Sequence, residues 1–258
     1  MTTVDKFNIS HSDREALDVV RGFRDGQQWL VGRLGEVSAL DADNGPAVPP
    51  PHTPISDRAF DLIVSLEVTS QAVYERSYSH PTWPQGASGV TIGIGYDVGY
   101  VTKTLLRQDW QDAIPDVMIK ALESAIGVKG PDADHLAHEL RGHVDVPWSA
   151  AIAVHRTKVI PKWVELTETA LSNTNELSAD SLGALVSLAY NRGASFDSEG
   201  TRYQEMRAIK ADMASKKFSD IPKQIRNMKR LWPTLKGLRV RRDLEAQLFQ
   251  DGLAEGEA

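Results

Sequence analysis

At 258 residues and 28.4 kDa, with 41% hydrophobic and 25% charged residues, the chain has an ordinary globular composition and room for one domain plus an appendage. No apolar run reaches the roughly 18 residues that argue for a membrane span. Cysteine is absent, which excludes disulfides and thiolate chemistry, and "MTTVDKFNISHSDREALD" lacks the basic-then-apolar order of a standard secretory signal. The net charge of −6 is uneven: Thr201–Arg242 holds 13 Lys+Arg against 3 Asp+Glu, or +10, leaving −16 elsewhere. A basic block of this kind can meet a polyanion or form solvated helical faces that balance an acidic remainder. The second reading is preferred, so no nucleic-acid partner is expected.

The first predicted element is a helical appendage over residues 1–44. From Asp13 to Val37 the apolar positions Ala16, Val20, Phe23, Leu30, Leu34 and Val37 follow a 4-3 spacing, a stripe of coiled-coil type. Gly22, Gly26, Gly32 and Gly35 each cost such a helix about 1 kcal/mol relative to Ala, so it is expected to lean on a partner surface. A Pro-rich linker follows over 45–55, within "DADNGPAVPPPHTP". The main domain is expected over 56–251, with a disordered tail over 252–258. Its first helix, "SDRAFDLIVSLE", takes Ser56 as N-cap and buries Phe60, Ile63, Val64 and Val68. Residues 74–98 lose that period. Their prolines and glycines predict turns and short strands, with "VTIGIGY" alternating as a strand does. Helices are then predicted over 102–111, 114–126, 132–142, 148–172, 178–191, 200–215, 218–231 and 238–250. The fold class is α+β, mostly α, with one small β-region.

Two motifs are decoys. "HELRGH" places His138 and His143 five apart across Gly142, where a zinc-protease helix needs i and i+4. "GIGYDVG" lacks the third glycine of a dinucleotide fingerprint, and there is no Walker lysine. Neither a metal nor a cofactor is expected. The carboxylates carry more. Glu67 ends an apolar helical run, where desolvation favours the neutral, proton-donating form. Asp97 follows a Gly-rich strand, where backbone allows a bulky substrate to approach. Two carboxylates in unlike surroundings match what glycoside hydrolysis needs. On composition and spacing alone, a surface or capping Glu67 and a turn Asp97 stay open as the simpler reading.

Three ordered segments carry a resemblance. Glu67 with Tyr74 and then "TIGIG" (Thr91–Gly95) resembles the opening of phage-type lysozymes of the T4 kind. "SLGALVSLAYNRG" (Ser181–Gly193) is similar to that family's core helix, and "GLRVRRDLEAQLF" (Gly237–Phe249) to its C-terminal helix. The resemblance spans about residues 56–250. One position departs: the family's second carboxylate, nine after the Glu, is here Arg76. The order Glu67, Thr91, Asp97 instead resembles the pesticin-like branch, as does the insertion "SYSHPTWPQGAS". Glu75 is the reserve second carboxylate.

The resemblance implies a lysozyme-like domain with a small β-hairpin lobe, and an N-acetylmuramidase acting on peptidoglycan glycan strands. It implies Glu67 as general acid and Asp97, with Thr91 holding water, as the base of an inverting reaction. Tyr96 and Trp83 are expected as sugar platforms, with Tyr74 nearer the hydrolytic residues. Asn191 and Arg192 are expected to reach the cleft or, more simply, to cap and pair within their helix, with Gly193 as its stop. Other readings are a chitosanase or chitinase-like glycosidase of the same superfamily, and a wall-binding module without catalysis. A phage endolysin released by a separate pore, or a delivered antibacterial effector, would suit a chain made in the cytoplasm that acts on the cell wall. Residues 1–44 would then dock a delivery partner.

Overall fold

In the computed structural model, which describes residues 9–20 and 53–256, the chain begins with α1 (His11–Val19), α2 (Asp57–Val68) and α3 (Gln71–Ser77). A two-stranded antiparallel sheet follows, β1 (Thr91–Ile92) and β2 (Tyr96–Asp97). Then come α4 (Lys103–Trp110), α5 (Asp116–Leu122), α6 (Pro131–Leu140), α7 (Trp148–Val154) and α8 (Ile160–Ala170). The last four are α9 (Ala179–Arg192), α10 (Gln204–Ala214), α11 (Ile221–Asn227) and α12 (Lys236–Gly256). The fold is mostly helical with one small hairpin. Among the described residues no helix is long and apolar enough to cross a membrane.

The described chain forms two compact units: residues 9–20, 53–66 and 161–256 make one, and residues 67–160 the other. The first is all helix. Its centre is α9, in which every residue from Asp180 to Arg192 is buried. A helix enclosed on all sides needs apolar or small residues around its whole circumference, which "SLGALVSLA" supplies. Ser178 caps its start, and Gly193 ends it at φ 78°, the stop expected from sequence. At α2, the Ser56 hydroxyl accepts from the Ala59 N–H at 2.9 Å, which confirms that cap.

Helix α12 packs along α9 and α11, and α1 lies against it. None of the α1 side chains is buried. Its seat is Gly237, where a Cβ would stand 2.1 Å from the Ala16 carbonyl oxygen and 2.4 Å from Val20. Ala16 and Val20 open the predicted stripe, so this part of the appendage does lean on the main fold. The rest of the stripe and most of the 45–55 linker lie outside the described residues. The predicted 252–258 tail is corrected up to Gly256: α12 runs on because Gly252 packs against Ser178 and Ser181 at the start of α9.

The basic block is largely neutralised within this unit. Lys210 pairs with Asp197, Lys216 with Glu176, Lys229 with Asp243, Arg230 with Glu205 and Lys236 with Asp13. Arg241 and Arg242 both close on Glu245, at 3.1 and 2.9 Å.

The predicted 148–172 helix is interrupted. Between α7 and α8, His155–Val159 form a π-helical turn. Pro161 follows at once. A proline brings no N–H and crowds the carbonyl four residues back, so the helical ladder cannot run through it unchanged.

Candidate active site

The hairpin's sequence dictates its shape. Ile92 pairs with Tyr96 and Thr91 with Asp97, so Gly93, Ile94 and Gly95 form the turn. Gly93 and Gly95 have φ of 57° and 66°, values that a side chain at either place would make costly. The stretch read as one alternating strand is therefore two strands with a three-residue turn. Thr82 extends the sheet on its other side, its N–H donating to the Thr91 carbonyl at 3.0 Å and its carbonyl accepting from the Thr91 N–H at 2.8 Å.

Direct cross-strand partners share one face, so Thr91 and Asp97 stand side by side. Both are held by Gly89. The Thr91 hydroxyl donates to the Gly89 carbonyl at 3.3 Å, and the Gly89 N–H donates to the two Asp97 oxygens at 3.1 and 3.0 Å. The Gly99 N–H donates to Asp97 Oδ1 at 3.0 Å. The carboxylate is thus cradled by two backbone N–H groups and fixed in orientation. Side chains at 89 or 99 would fill the cradle. A Cβ on Gly89 would stand 2.5 Å from Asp97 Oδ1 and 2.5 Å from Gly99 Cα. Because the second of these neighbours is backbone, it cannot swing aside. Gly89→Ala is expected to destabilise the protein by about 2–3 kcal/mol through overpacking. Gly142→Ala, which meets nothing within 4 Å, is expected to stay within about 0.5 kcal/mol. Urea unfolding of both variants checks this.

Glu67 opens the same compact unit, in the last turn of α2, and is 3% exposed. Two residues on, Thr69 sits at φ 64°. A β-branched residue in the left-handed region is strained by on the order of 1–2 kcal/mol, and such strain gathers at functional sites. It lets the chain stop α2 and start α3 at once, with the Ser70 hydroxyl accepting from the Val73 N–H.

Other sequence-predicted residues are placed differently. Tyr96 belongs to the opposite face of the hairpin. It is buried, its hydroxyl donates to Asp109 at 2.8 Å, and its ring meets Trp110 edge-on at 5.4 Å. Burial, then the charge of Asp109, pushes its phenol well up. It is a core residue, not a sugar platform. Tyr74 is corrected likewise: it is fully buried, donates to the Val146 carbonyl at 2.8 Å and packs on Trp148 at 5.3 Å. Burial is the main cause that raises its phenol. Glu75 is exposed on α3 and accepts from Gln71 at 2.7 Å.

Asn191 and Arg192 lie in the other unit. Asn191 accepts from Arg242 at 3.0 Å; Arg192 donates to the Arg202 carbonyl at 2.9 Å and stacks near Tyr203 and Trp232. Burial pulls the Arg192 guanidinium down to about 10. Both therefore serve the interior of that unit. His138 is exposed on α6, 3.8 Å from Asp134. Among the described residues no group of three or more His, Asp or Glu side chains is placed to hold a metal.

Trp83 alone of the predicted aromatics keeps a half-exposed ring, its Nε1 donating to the Ser88 carbonyl at 3.0 Å. The hairpin also has neighbours that sequence reasoning missed. Tyr100 donates to the Ala87 carbonyl at 2.5 Å, and its phenol is raised by burial and by the charge of Asp97. Lys129 reaches it from the α5–α6 connection and bridges Gly89 through its backbone. Comparison with protein-family models returns no match for this chain, and comparison with curated proteins returns none.

Proposed function

We propose that the chain is a peptidoglycan hydrolase of lysozyme-like fold, an N-acetylmuramidase that cleaves the β-1,4 glycan bond by inverting acid–base catalysis. The observation that carries this reading is the Thr91–Asp97 cross-strand pair, fixed by Gly89 and Gly99 in the same compact unit as the buried Glu67. It joins the resemblance of three ordered segments to phage-type and pesticin-like lysozymes.

In this mechanism Glu67 protonates the glycosidic oxygen as the bond breaks. Its side chain is buried in the last turn of α2, shielded from bulk water. Positive charge grows at the anomeric carbon, and Asp97 stabilises it while accepting a proton from the attacking water. The two N–H donors hold Asp97 still, so its charge is aimed before the reaction starts. Thr91, already oriented by its bond to the Gly89 carbonyl, positions the water. Inversion calls for roughly 6.5–9.5 Å between the two carboxyl groups. Trp83 offers a ring to a sugar face.

Digestion of purified peptidoglycan with product analysis by mass spectrometry tests the reading. Fragments ending in reducing N-acetylmuramic acid are expected. Anhydro ends would replace hydrolysis by transglycosylation and remove the water-activating role of Asp97. No soluble fragments at all would overturn the assignment.

A further inference from the structure

We propose that Lys129 is a specificity residue that reads a carboxylate carried by the glycan, so that the site selects an acidic polymer over a neutral or cationic one. This rests on the glycan-hydrolase reading above and names the substrate chemistry of the same site.

The placement of Lys129 is unusual for a surface lysine. It is half-buried, and its Nζ lies 3.9 Å from the centroid of the Tyr100 ring. It makes no ion pair with any described carboxylate, whereas Lys103 and Lys120 of the same unit pair with Glu123 and Asp116 at 2.7 Å each. A cation over a ring face is held in place without using up its N–H donors. An ammonium has three of these, and a ring satisfies them poorly. The side chain is thus ordered in advance yet keeps donors for an anion, which lowers the entropic cost of binding one.

Its position relative to the chemistry is fixed through backbone. Lys129 bridges Gly89, the residue whose N–H holds Asp97. The Gly130 N–H donates to the Ser88 carbonyl at 2.9 Å. Gly99 lies so close that a Cβ there would stand 2.6 Å from the Val128 carbonyl oxygen. The 128–130 segment is therefore clamped to the cradle of Asp97. Tyr100 spans the two charges: Lys129 lies over its ring, and Asp97 acts on its phenol. A glycan lying along Trp83 and the hairpin would meet a negative group at Asp97 and a positive one at Lys129. An acidic substituent is drawn to the second and kept from the first. A free amino sugar at the Lys129 position would be repelled.

In a muramic-acid polymer the carboxylate has two sources: the lactyl group of strands stripped of peptide, or the stem peptide of intact ones. The test measures binding to soluble strands of both kinds, each before and after conversion of carboxylates to methylamides, which removes charge and keeps shape. Wild type, Lys129→Met and Lys129→Arg are compared in the Glu67→Gln background so that strands are not consumed. Methionine keeps an apolar stem on Tyr100. The wild-type residue is expected to favour charged over amidated strands by about 5–10-fold. Lys129→Met is expected to lose that preference and Lys129→Arg to retain most of it. A preference shown only by stripped strands assigns the lactyl carboxylate; one shown only by intact strands assigns the stem peptide. An equal preference in Lys129→Met and wild type, or none in wild type, overturns the role of Lys129 even if cleavage of peptidoglycan is observed. Strong charge-selective binding without cleavage by the native enzyme would leave Lys129 supported and sink the hydrolase reading. No binding of any strand overturns both.

Discussion

Glu67→Gln is expected to reduce release of soluble fragments from peptidoglycan by about 10²–10⁴-fold, the range typical of a lost general acid. The substitution keeps volume and leaves an oxygen acceptor in place, which matters for a side chain only 3% exposed. The melting temperature should therefore remain close to that of the wild type. Dye-release assays and thermal unfolding of the same preparations separate the two effects. Loss of both would mean that the carboxyl group holds the fold, and retention of activity would remove Glu67 from the chemistry.

The largest expected loss of stability lies elsewhere, at Glu245. Its carboxylate is fully buried and accepts from the Ser187 hydroxyl at 2.8 Å, from Arg241 Nε at 3.1 Å and from Arg242 Nη2 at 3.0 Å, while Arg242 Nε stands 2.9 Å from its other oxygen as an ion-pair contact. Two guanidinium groups thus share one counter-charge, and Trp232 lies 5.3 Å from Arg192 and 5.6 Å from Arg242. Burial drives the Arg242 guanidinium down to about 9, and the charge of Glu245 is what opposes the shift. Glu245→Gln removes the counter-charge that Arg241 and Arg242 share. Breaking a buried pair from one side costs about 3–5 kcal/mol, which for a chain of this size lowers the melting temperature by on the order of 10 °C. Pairing it with Arg242→Met should recover part of the loss, since the remaining charge is smaller. Thermal melts of the single and double variants check this, and a single-variant loss under about 1 kcal/mol would contradict the ion network as drawn.

How much of this was legible in the sequence differs from residue to residue. The Ser56 cap was readable because it depends on local pattern, a hydroxyl before an apolar stripe, whereas the core place of Ser181–Gly193 came as what the resemblance implies. The hairpin was half readable. Its glycines announced turns, but the alternation of "VTIGIGY" disguised which of them reversed the chain. Tyr96 was misread because its fate is decided by Asp109, thirteen residues on, and by Trp110. Tyr74 was misread because its place came only from the resemblance, while its burial is decided by Val146 and Trp148, far along the chain. Gly89 and Lys129 left the weakest trace. One has no side chain to notice, and the other stands in "GVKG", where nothing local marks a bridge to a segment forty residues earlier.

The π-helical turn before Pro161 has a consequence for how the chain is compared with others. A π turn adds one residue to a helical circuit, and such turns mark places where a helix has absorbed an inserted residue without losing its axis. The hydrogen-bond ladder therefore takes up one extra residue between His155 and Val159. A relative with an unbroken helix would match both halves only if a one-residue gap were opened mid-helix, where gaps are most heavily penalised. Kinship across this segment is thus better sought by superposing backbones than by counting identities, and removing one residue from 155–159 is the edit most compatible with the helix on either side.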